Sequence, residues 1–392
     1  MTKIKTNRNN TNNVPPLRFP EFSGEWRYSL LGNECNILCG YPFDGQDMQE
    51  SSGNVKLLRG INITEGEIRH SNELDRYYSG DISKLGKYIL KEGDLVIGMD
   101  GSKVGRNSAI LTICEQGSYL VQRVCRIRSQ KHNVEYIFQH INNSKFHKYV
   151  DSIKTASAIP HISQSDIQDY TISFPPTAEE QIKITSLLSL LDARIATQNK
   201  IIEDQEQLKS AIRERLYTQI QEEDFEHKTI KDVLSYEHPT KYIVVDTEYT
   251  DDKKLTPVLT ANKAFILGYT PEQENIYGKG DCIIFDDFTM DIKFVSFPFK
   301  IKSSAIKILT AKTNVNLYFI YEYLLFLNLI SEEHKRHYIS EIEPLHIVVP
   351  CLVIQHKIAE ILQSIDKQIH NARQLQSAYQ RQKQYLLNQM FI

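Results

Sequence analysis

The sequence lacks several features that would point directly to a functional class. Its formal net charge is −3, so a DNA-binding surface would have to be a local patch or rely on basic partner subunits. No C-x-x-C pair occurs among the six cysteines, which predicts free thiols in a reducing compartment. The most apolar window, Tyr318–Ile330, contains Glu322 and Asn328 and is too short to span a bilayer. We therefore expect a cytoplasmic protein without a membrane segment.

Signatures of catalysis are also missing. There is no G-x-x-x-x-G-K-[ST] phosphate loop, because GMDGSKV at 98–104 has the wrong spacing. Amino-methyltransferase motifs of the N-P-P-[YF] or D-P-P-Y type are absent, as is a glycine-rich cofactor loop. His334 and His337 have no further His or Cys beside them, which favours solvated histidines and predicts no metal site. Asp286, Asp287 and Lys293 leave a metal-dependent nuclease open as an alternative.

What the sequence does contain is a long helical pattern that occurs twice. No Gly or Pro lies between Thr177 and Ile220, and apolar residues recur there at three- and four-residue steps. At about 1.5 Å per residue such a helix is roughly 65 Å long. Residues 350–392 repeat the pattern at an offset of 174 and share its polar positions, which indicates an internal duplication. The aligned polar residues are Gln181, Asp192 and Lys209 with Gln355, Asp366 and Lys383.

Apolar residues of the two patterns are expected to form a seam between paired, antiparallel helices. The polar flanks of the helices are typical of solvated faces and do not identify a side that faces a partner. The predicted seam consists of Ile184, Leu188, Leu191, Ile195, Leu208, Ile212, Ile358, Leu362, Ile365, Ile369 and Leu386.

The segment before each long helix follows one plan, with strands, then a short helix, then a strand that ends at proline. In the first half the predicted elements are strands at Val55–Ile63, Asp94–Met99, Asn107–Ile113, Tyr119–Ile127 and Tyr170–Phe174, and one helix at Val134–Tyr149. Asn316–Leu325 in the second half parallels the start of that helix. We predict an α+β fold of two α/β domains separated by two long antiparallel helices, with an internal pseudo-two-fold repeat. The predicted segments are a flexible tail 1–14, a domain 15–175, a helix 176–221, a domain 222–349 and a helix 350–392.

Several short motifs occur in the same order as in a known family. They are Leu17-Arg18-Phe19-Pro20, Gly24-Glu25-Trp26, Gly93-Asp94, Ser157–Ser163, Phe174-Pro175-Pro176 with Glu180-Gln181, Pro350 with Gln355, and Leu386–Phe391. With these motifs the chain, from about Pro15 to Ile392, resembles the specificity subunit of a type I restriction–modification enzyme. One departure is Cys351-Leu352-Val353-Ile354, where the family usually has an acidic Glu-Gln start to the second helix.

The resemblance implies two target-recognition domains, each reading one half of a split double-stranded DNA target. It implies that the long helices bind two methyltransferase (modification) subunits, and that motor-nuclease (restriction) subunits join the complex. The chain alone would then be non-catalytic and hold no cofactor, while S-adenosylmethionine, ATP and Mg²⁺ would be bound by the partner subunits. A scaffold that binds only proteins remains an alternative.

Polar and basic loops between strands are the candidates for contacting DNA, because Arg, Lys, Asn and Gln read base edges. The loop Asp100–Asn107 fits best, with two glycines that permit close backbone approach. A solvated hairpin would have the same composition. The predicted DNA-contacting residues are Arg59, Asn62, Asp100, Ser102, Lys103, Arg106 and Ser157 in the first half, and Asn262, Lys263, Asp287, Thr289, Lys293, Lys302 and Ser303 in the second.

Overall fold

The computed structural model describes residues 13–51, 55–261, 264–331 and 335–392. They form two compact units. Unit 1 contains the chain up to Thr197 together with Leu375–Ile392, and unit 2 contains Gln198–Gln374. This division gives half of each long helix to each unit, whereas the predicted boundaries treat the helices as segments of their own.

Unit 1 is built from short strands and short helices that precede the first long helix. Its strands are β1 Arg27–Leu30, β2 Asn36–Cys39, β3 Met48–Gln49, β4 Val55–Leu58, β5 Arg76–Tyr78, β6 Leu95–Gly98, β7 Ser108–Ile110, β8 Tyr119–Leu120, β9 Val124–Arg128 and β10 Thr171–Phe174. Its helices are α1 Leu31–Glu34, α2 Val134–Ile141, α3 Ser144–Ile153 and α4 Gln164–Gln168, followed by the first long helix, α5 Ala178–Glu222, which continues into unit 2.

Unit 2 repeats this order of elements. Its strands are β11 Glu226–Thr229, β12 Leu234–Glu237, β13 Thr256–Leu259, β14 Ile266–Thr270, β15 Cys282–Asp286, β16 Ile292–Val295, β17 Lys300–Ile301, β18 Ile306–Ala311 and β19 His346–Val349. Its helices are α6 Ile230–Val233 and α7 Leu317–Phe326, followed by a π-helical turn at Tyr338–Ile342 and the second long helix, α8 Leu352–Met390.

The main antiparallel sheet has the same strand order in the two units. Unit 1 has an antiparallel sheet ordered β2-β9-β6-β7, and unit 2 has the matching sheet β12-β18-β15-β16. A second sheet joins β4 to β8 in parallel in unit 1, as β13 joins β17 in unit 2. Each unit also contains an antiparallel pair beside its long helix, β1 with β10 and β11 with β19. The predicted α+β class and internal repeat are confirmed.

The predicted single helix at Val134–Tyr149 is wrong, because two helices, α2 and α3, occupy the segment. Asn143 separates them in an extended conformation, and its side chain accepts a hydrogen bond from the Lys145 backbone N–H. Asparagine favours this N-cap role because its amide oxygen satisfies a donor that the new helix leaves unpaired. A sequence pattern with continuous apolar spacing did not show this break.

The long helices pack antiparallel within each unit. In unit 1, Ile184 and Leu188 of α5 share a core with Leu387 and Met390 of α8. The ammonium of Lys383 lies 2.6 Å from an Asp192 carboxylate oxygen, further along α5 and earlier in α8. Higher residue numbers in α5 thus contact lower residue numbers in α8, as expected for antiparallel helices.

Unit 2 contains the same arrangement with the roles of the two helices exchanged. Lys209 of α5 lies 2.6 Å from an Asp366 oxygen of α8. The buried Leu362 of α8 shares a core with Tyr217 and Ile220 of α5. The repeated Asp and Lys positions therefore form one equivalent ion pair in each unit, which explains why the duplication preserved them.

Most of the predicted seam is buried, and one member needs correction. Leu208 is 53% exposed, because the buried Lys209 beside it turns toward the core at this register. Leu386 is half-buried and packs against the core that contains its neighbour Leu387. Ile184, Leu188, Leu191, Ile358, Leu362, Ile365 and Ile369 are buried, while Ile195 and Ile212 are half-buried.

Candidate nucleic-acid interface

A cavity of about 480 Å³ opens in unit 1 between loops that follow or precede sheet strands. The first loop follows β4 and includes Arg59, the second follows β6, and the third is the turn Val121–Arg123 between β8 and β9. The lining residues are Met48, Arg59, Gly60, Ile61, Gly98, Asp100, Gly101, Ser102, Lys103, Asn107, Val121, Gln122 and Arg123. The structure thus brings together the predicted residues Arg59, Asp100, Ser102 and Lys103.

The two basic residues of the 100–107 loop are already paired with carboxylates. Lys103 lies 2.8 Å from Glu65, and both side chains are exposed. Arg106 forms two hydrogen bonds to Asp151, at 2.6 and 3.3 Å. Arg106 and Lys154 hold the pKa of Asp151 down, to about 2. Surface pairs of this kind are weak and exchange readily, so Lys103 is still available to a phosphate. Arg106 is not among the residues that line the cavity.

Asn62 and Ser157 have structural roles in this unit. Asn62 is fully buried and donates to the Arg69 carbonyl and to Asp75 while accepting from the Arg59 backbone N–H. The prediction that Asn62 contacts DNA is therefore wrong, because its side-chain amide is buried and hydrogen-bonded within the unit. Ser157 is exposed and donates to the Ile159 carbonyl at 2.6 Å within its own loop.

In unit 2 the predicted acidic contacts belong to the framework. Asp287 is 2% exposed and accepts from the backbone N–H groups of His337 and Tyr338, at 3.1 and 2.8 Å. Lys307 lies 3.4 Å from its other oxygen. The prediction that Asp287 contacts DNA is wrong, because its carboxylate is buried and already has three partners within the unit. Thr289 is exposed and donates to Asp291, and Lys293 is half-buried on β16.

The alternative nuclease site at Asp286, Asp287 and Lys293 is not supported either, because backbone groups use its carboxylates. The Asp286 carboxylate accepts from the backbone N–H groups of Phe288 and Thr289 and closes its own turn. Within the ranges that the structure describes, no group of three or more His, Cys, Asp or Glu side chains could hold a metal ion. His337 is buried and hydrogen-bonded to Glu341, so the prediction that it is solvated is wrong; His334 lies outside the described residues.

Two of the remaining candidates of unit 2, Lys302 and Ser303, are exposed on the turn between β17 and β18. The other two, Asn262 and Lys263, lie outside the described residues. The parallel registers pair Leu58 with Leu120 and Leu259 with Ile301. The turn after Leu120 is thus equivalent to the turn after Ile301.

Sequence reasoning missed Gln122 and Arg123, which occupy this equivalent turn in unit 1. Both side chains are exposed at the cavity. The internal repeat was the signal that could have found them, because the predicted residue Ser303 lies at the position that matches Gln122, one residue before the match of Arg123. Matching the two turns required the strand registers, which cannot be recognised from the sequences because the two units differ too much outside the long helices.

An apolar groove of about 700 Å³ lies between α5 and α8 in unit 2. Leu208, Ile212, Ile361 and Ile365 supply its apolar lining, and Leu208 and Ile361 are 53% and 46% exposed. Exposed leucine and isoleucine side chains within a groove of this size are typical of a protein-docking surface.

None of the helices described is both long and apolar enough to cross a membrane.

Comparison with known proteins identifies the frame that carries these loops. The model of the type I restriction modification DNA specificity domain matches residues 25–207 and 222–378, one copy for each half of the chain. The chain belongs to this family. Its type I specificity frame accounts for the duplicated topology and the paired long helices described above.

Relatives within the type I specificity family match parts of the chain. The EcoR124I/EcoR124II specificity subunit of Escherichia coli is 43% identical over 144 residues, covering 33% of this chain and 35% of the relative. The EcoBI specificity subunit of Escherichia coli is 27% identical over 181 residues, covering 45% and 35%. The chain thus spans about a third of the length of these curated relatives.

A crystal structure shares the fold over nearly the whole chain. The S subunit of a type I restriction–modification system from M. genitalium superposes with a TM-score of 0.65 at 14% identity, covering 97% of this chain and 99% of that one. At this identity the likeness concerns architecture alone, and the residues of the cavity have to be argued from this chain.

Proposed function

We propose that this chain is the DNA-recognition subunit of a type I restriction–modification complex, with each unit reading one half of a bipartite double-stranded target. The observation that carries the proposal is the contrast between frame and loops. The Asp192–Lys383 and Asp366–Lys209 pairs are equivalent, while the turns on equivalent strands carry Gln122-Arg123 in one unit and Ser303-Ser304 in the other. One frame with two different polar loop sets suits two different half-sites.

The chain alone is expected to be non-catalytic. A nuclease would use Asp286 and Asp287, but the Asp286 carboxylate accepts from the backbone of its own turn and the Asp287 carboxylate accepts from the Tyr338 backbone N–H. In the proposed complex, S-adenosylmethionine, ATP and Mg²⁺ are bound by methyltransferase and motor-nuclease subunits, and the complex acts in the cytoplasm. The purified chain should therefore neither methylate nor cleave DNA when all three are supplied.

Reconstitution with a cognate pair of methyltransferase subunits tests this function. Methylated DNA from the reaction, read by single-molecule sequencing, should show modification at two short sequences separated by unspecified base pairs. A continuous target would contradict two separate readers, and turnover by the chain alone would contradict the non-catalytic role. A complex that assembles but leaves DNA unprotected in footprinting would favour the protein-only scaffold.

The groove between α5 and α8 of unit 2 supports methyltransferase docking on the helices. Leu208→Glu places a charge on an exposed apolar position, so folding should be preserved while association with the methyltransferase weakens. Val245→Glu is a matched control, because Val245 is 88% exposed and lies outside both helices. Mass photometry of the two variants with methyltransferase measures the effect, and equal assembly of both would remove this groove from the docking surface.

A further inference from the structure

Two guanidinium groups in the cavity of unit 1 have no acceptor among the residues that the structure describes. Arg59 and Arg123 both line the cavity, and neither side chain forms a hydrogen bond or ion pair within those ranges. Nearby cations differ from them, since Lys103 is paired with Glu65 and Arg106 with Asp151. Five N–H donors per guanidinium are therefore available in each of two adjacent loops.

The backbone of Arg123 is held in an unusual conformation. Its φ is 67°, in the left-handed region that disfavours residues with a Cβ. The surrounding chain enforces it, because Met99 N–H donates to the Arg123 carbonyl at 2.9 Å and Val124 N–H donates to the Val121 carbonyl at 3.2 Å. A strained non-glycine residue that the framework holds in place is a pointer to a functional side chain.

Close packing beneath the turn prevents it from relaxing. Gly40 lies so near that a Cβ there would come within 2.1 Å of the Val121 carbonyl oxygen. The backbone of Tyr41 is hydrogen-bonded on both sides of the turn. Its N–H donates to the Leu120 carbonyl, and its carbonyl accepts from the Gln122 N–H at 2.8 Å. The Arg123 side chain is thus presented from a rigid support rather than from a mobile hairpin.

The buried Asn62 holds the backbone of Arg59 in place. The Asn62 side chain accepts from the Arg59 backbone N–H at 3.2 Å and is itself anchored on the Arg69 carbonyl and Asp75. Partial burial and the neighbouring charge of Arg76 lower the pKa of Arg59, although an arginine stays protonated. An acceptor brought into the cavity would offset this unfavourable environment.

We infer that Arg123, with Arg59 beside it, is a specificity-determining residue that recognises a guanine in the half-site read by unit 1. The inference rests on the proposed DNA-recognition function. Guanine fits because its O6 and N7 acceptors match the arginine fork, which is the commonest specific contact in the major groove. A phosphate would accept from the same fork, but it needs no rigid presentation from a strained turn.

Arg123→Gly is the decisive variant, because glycine adopts a positive φ without strain and the turn should fold at least as well. The reconstituted methyltransferase complex is offered a pool of duplexes with randomised half-sites. Discrimination at one guanine position of the unit 1 half-site should fall by roughly 10- to 100-fold, with the unit 2 half-site unchanged. Lys84→Ala is the control, because Lys84 is an exposed cation of unit 1 that does not line the cavity, and it should leave the motif intact.

A chemical probe separates base reading from phosphate binding. Replacing that guanine with 7-deazaguanine removes the N7 acceptor, so it should weaken binding by the wild-type complex and have no further effect on Arg123→Gly. An equal loss of affinity for every sequence with Arg123→Gly would mean a phosphate contact and would overturn the inference. An unchanged motif would overturn it as well. If the wild-type complex shows no bipartite preference, the proposed function itself fails.

Discussion

The two units share a frame but stabilise one equivalent buried polar position of it differently. Gln139 of α2 and Glu322 of α7 both lie six residues after the asparagine that caps their helix. In unit 1, Gln139 donates to Asp192 at 3.2 Å, and Leu387 packs in the adjoining core. In unit 2, Glu322 is fully buried and contacts Lys209 at 2.6 Å and Arg213 at 2.8 Å.

The repeat offset relates these differences to one another. Arg213 and Leu387 are equivalent positions of the two long helices, so a charged pair in one unit replaces an amide and a leucine in the other. The aromatic contacts show a similar exchange. The ring centroids of Tyr217 and Phe319 lie 5.2 Å apart in a tilted pair in unit 2, and those of Phe391 and Tyr136 lie 5.4 Å apart in a stacked pair in unit 1. Duplicated cores can therefore diverge when neighbouring positions change together.

Breaking the charged network of unit 2 should have the largest effect. Glu322→Gln leaves Lys209 and Arg213 with reduced charge compensation in a buried site, and we expect a loss of about 3 kcal/mol. Urea unfolding of the full chain, with hydrogen exchange of unit 2 peptides, measures it. Adding Arg213→Leu recreates the Gln139–Leu387 combination of unit 1 and should recover at least about 1 kcal/mol. A double variant less stable than Glu322→Gln would show that the two solutions are not interchangeable.

Acid should destabilise unit 1 through His140, whose counterpart in unit 2 is Tyr323. Complete burial, helped by the charge of Lys145, lowers the pKa of His140 from 6.5 to about 3. The unfolded chain thus takes up a proton that the folded unit excludes, so stability present above pH 6.5 is lost as the pH falls toward 3. At pH 5 this loss is about 2 kcal/mol.

His140→Phe isolates this contribution. The variant should lose less stability than the wild type between pH 7 and pH 5 in urea titrations, while other acid-sensitive groups act equally on both proteins. The matched change Tyr323→Phe should leave the pH dependence unaltered. Parallel pH profiles of His140→Phe and the wild type would mean that His140 accepts a proton in the folded state.

The repeated ion pairs should differ in strength, with the smaller effect in unit 1. Lys383 contacts one carboxylate, and the Asp192 side chain is 36% exposed. We expect Lys383→Met to cost less than about 1 kcal/mol. Lys209→Met should cost more because Lys209 contacts both Asp366 and the buried Glu322. Equal losses in urea unfolding would contradict the contribution of the additional contact between Lys209 and the buried Glu322, on which this comparison depends.

The candidate site was less accessible to sequence reasoning than the frame. Glycines and basic residues indicated the 100–107 loop, but the partners of Lys103 and Arg106 lie 38 and 45 residues away along the chain. Asn62 and Asp287 have the composition of surface contacts and are nonetheless buried. Arg123 stands in a short turn without glycine, so neither composition nor spacing marked its left-handed backbone.

Periodicity and duplication determined the frame of this protein. A helical periodicity without Gly or Pro predicts a long amphipathic helix, and the aligned Asp and Lys positions indicated two such helices in one arrangement. Tertiary structure alone decided which cations remain unpaired at the cavity. Helix formation depends on residues three and four apart, whereas the availability of Arg59 and Arg123 depends on loops that meet only after the sheets have formed.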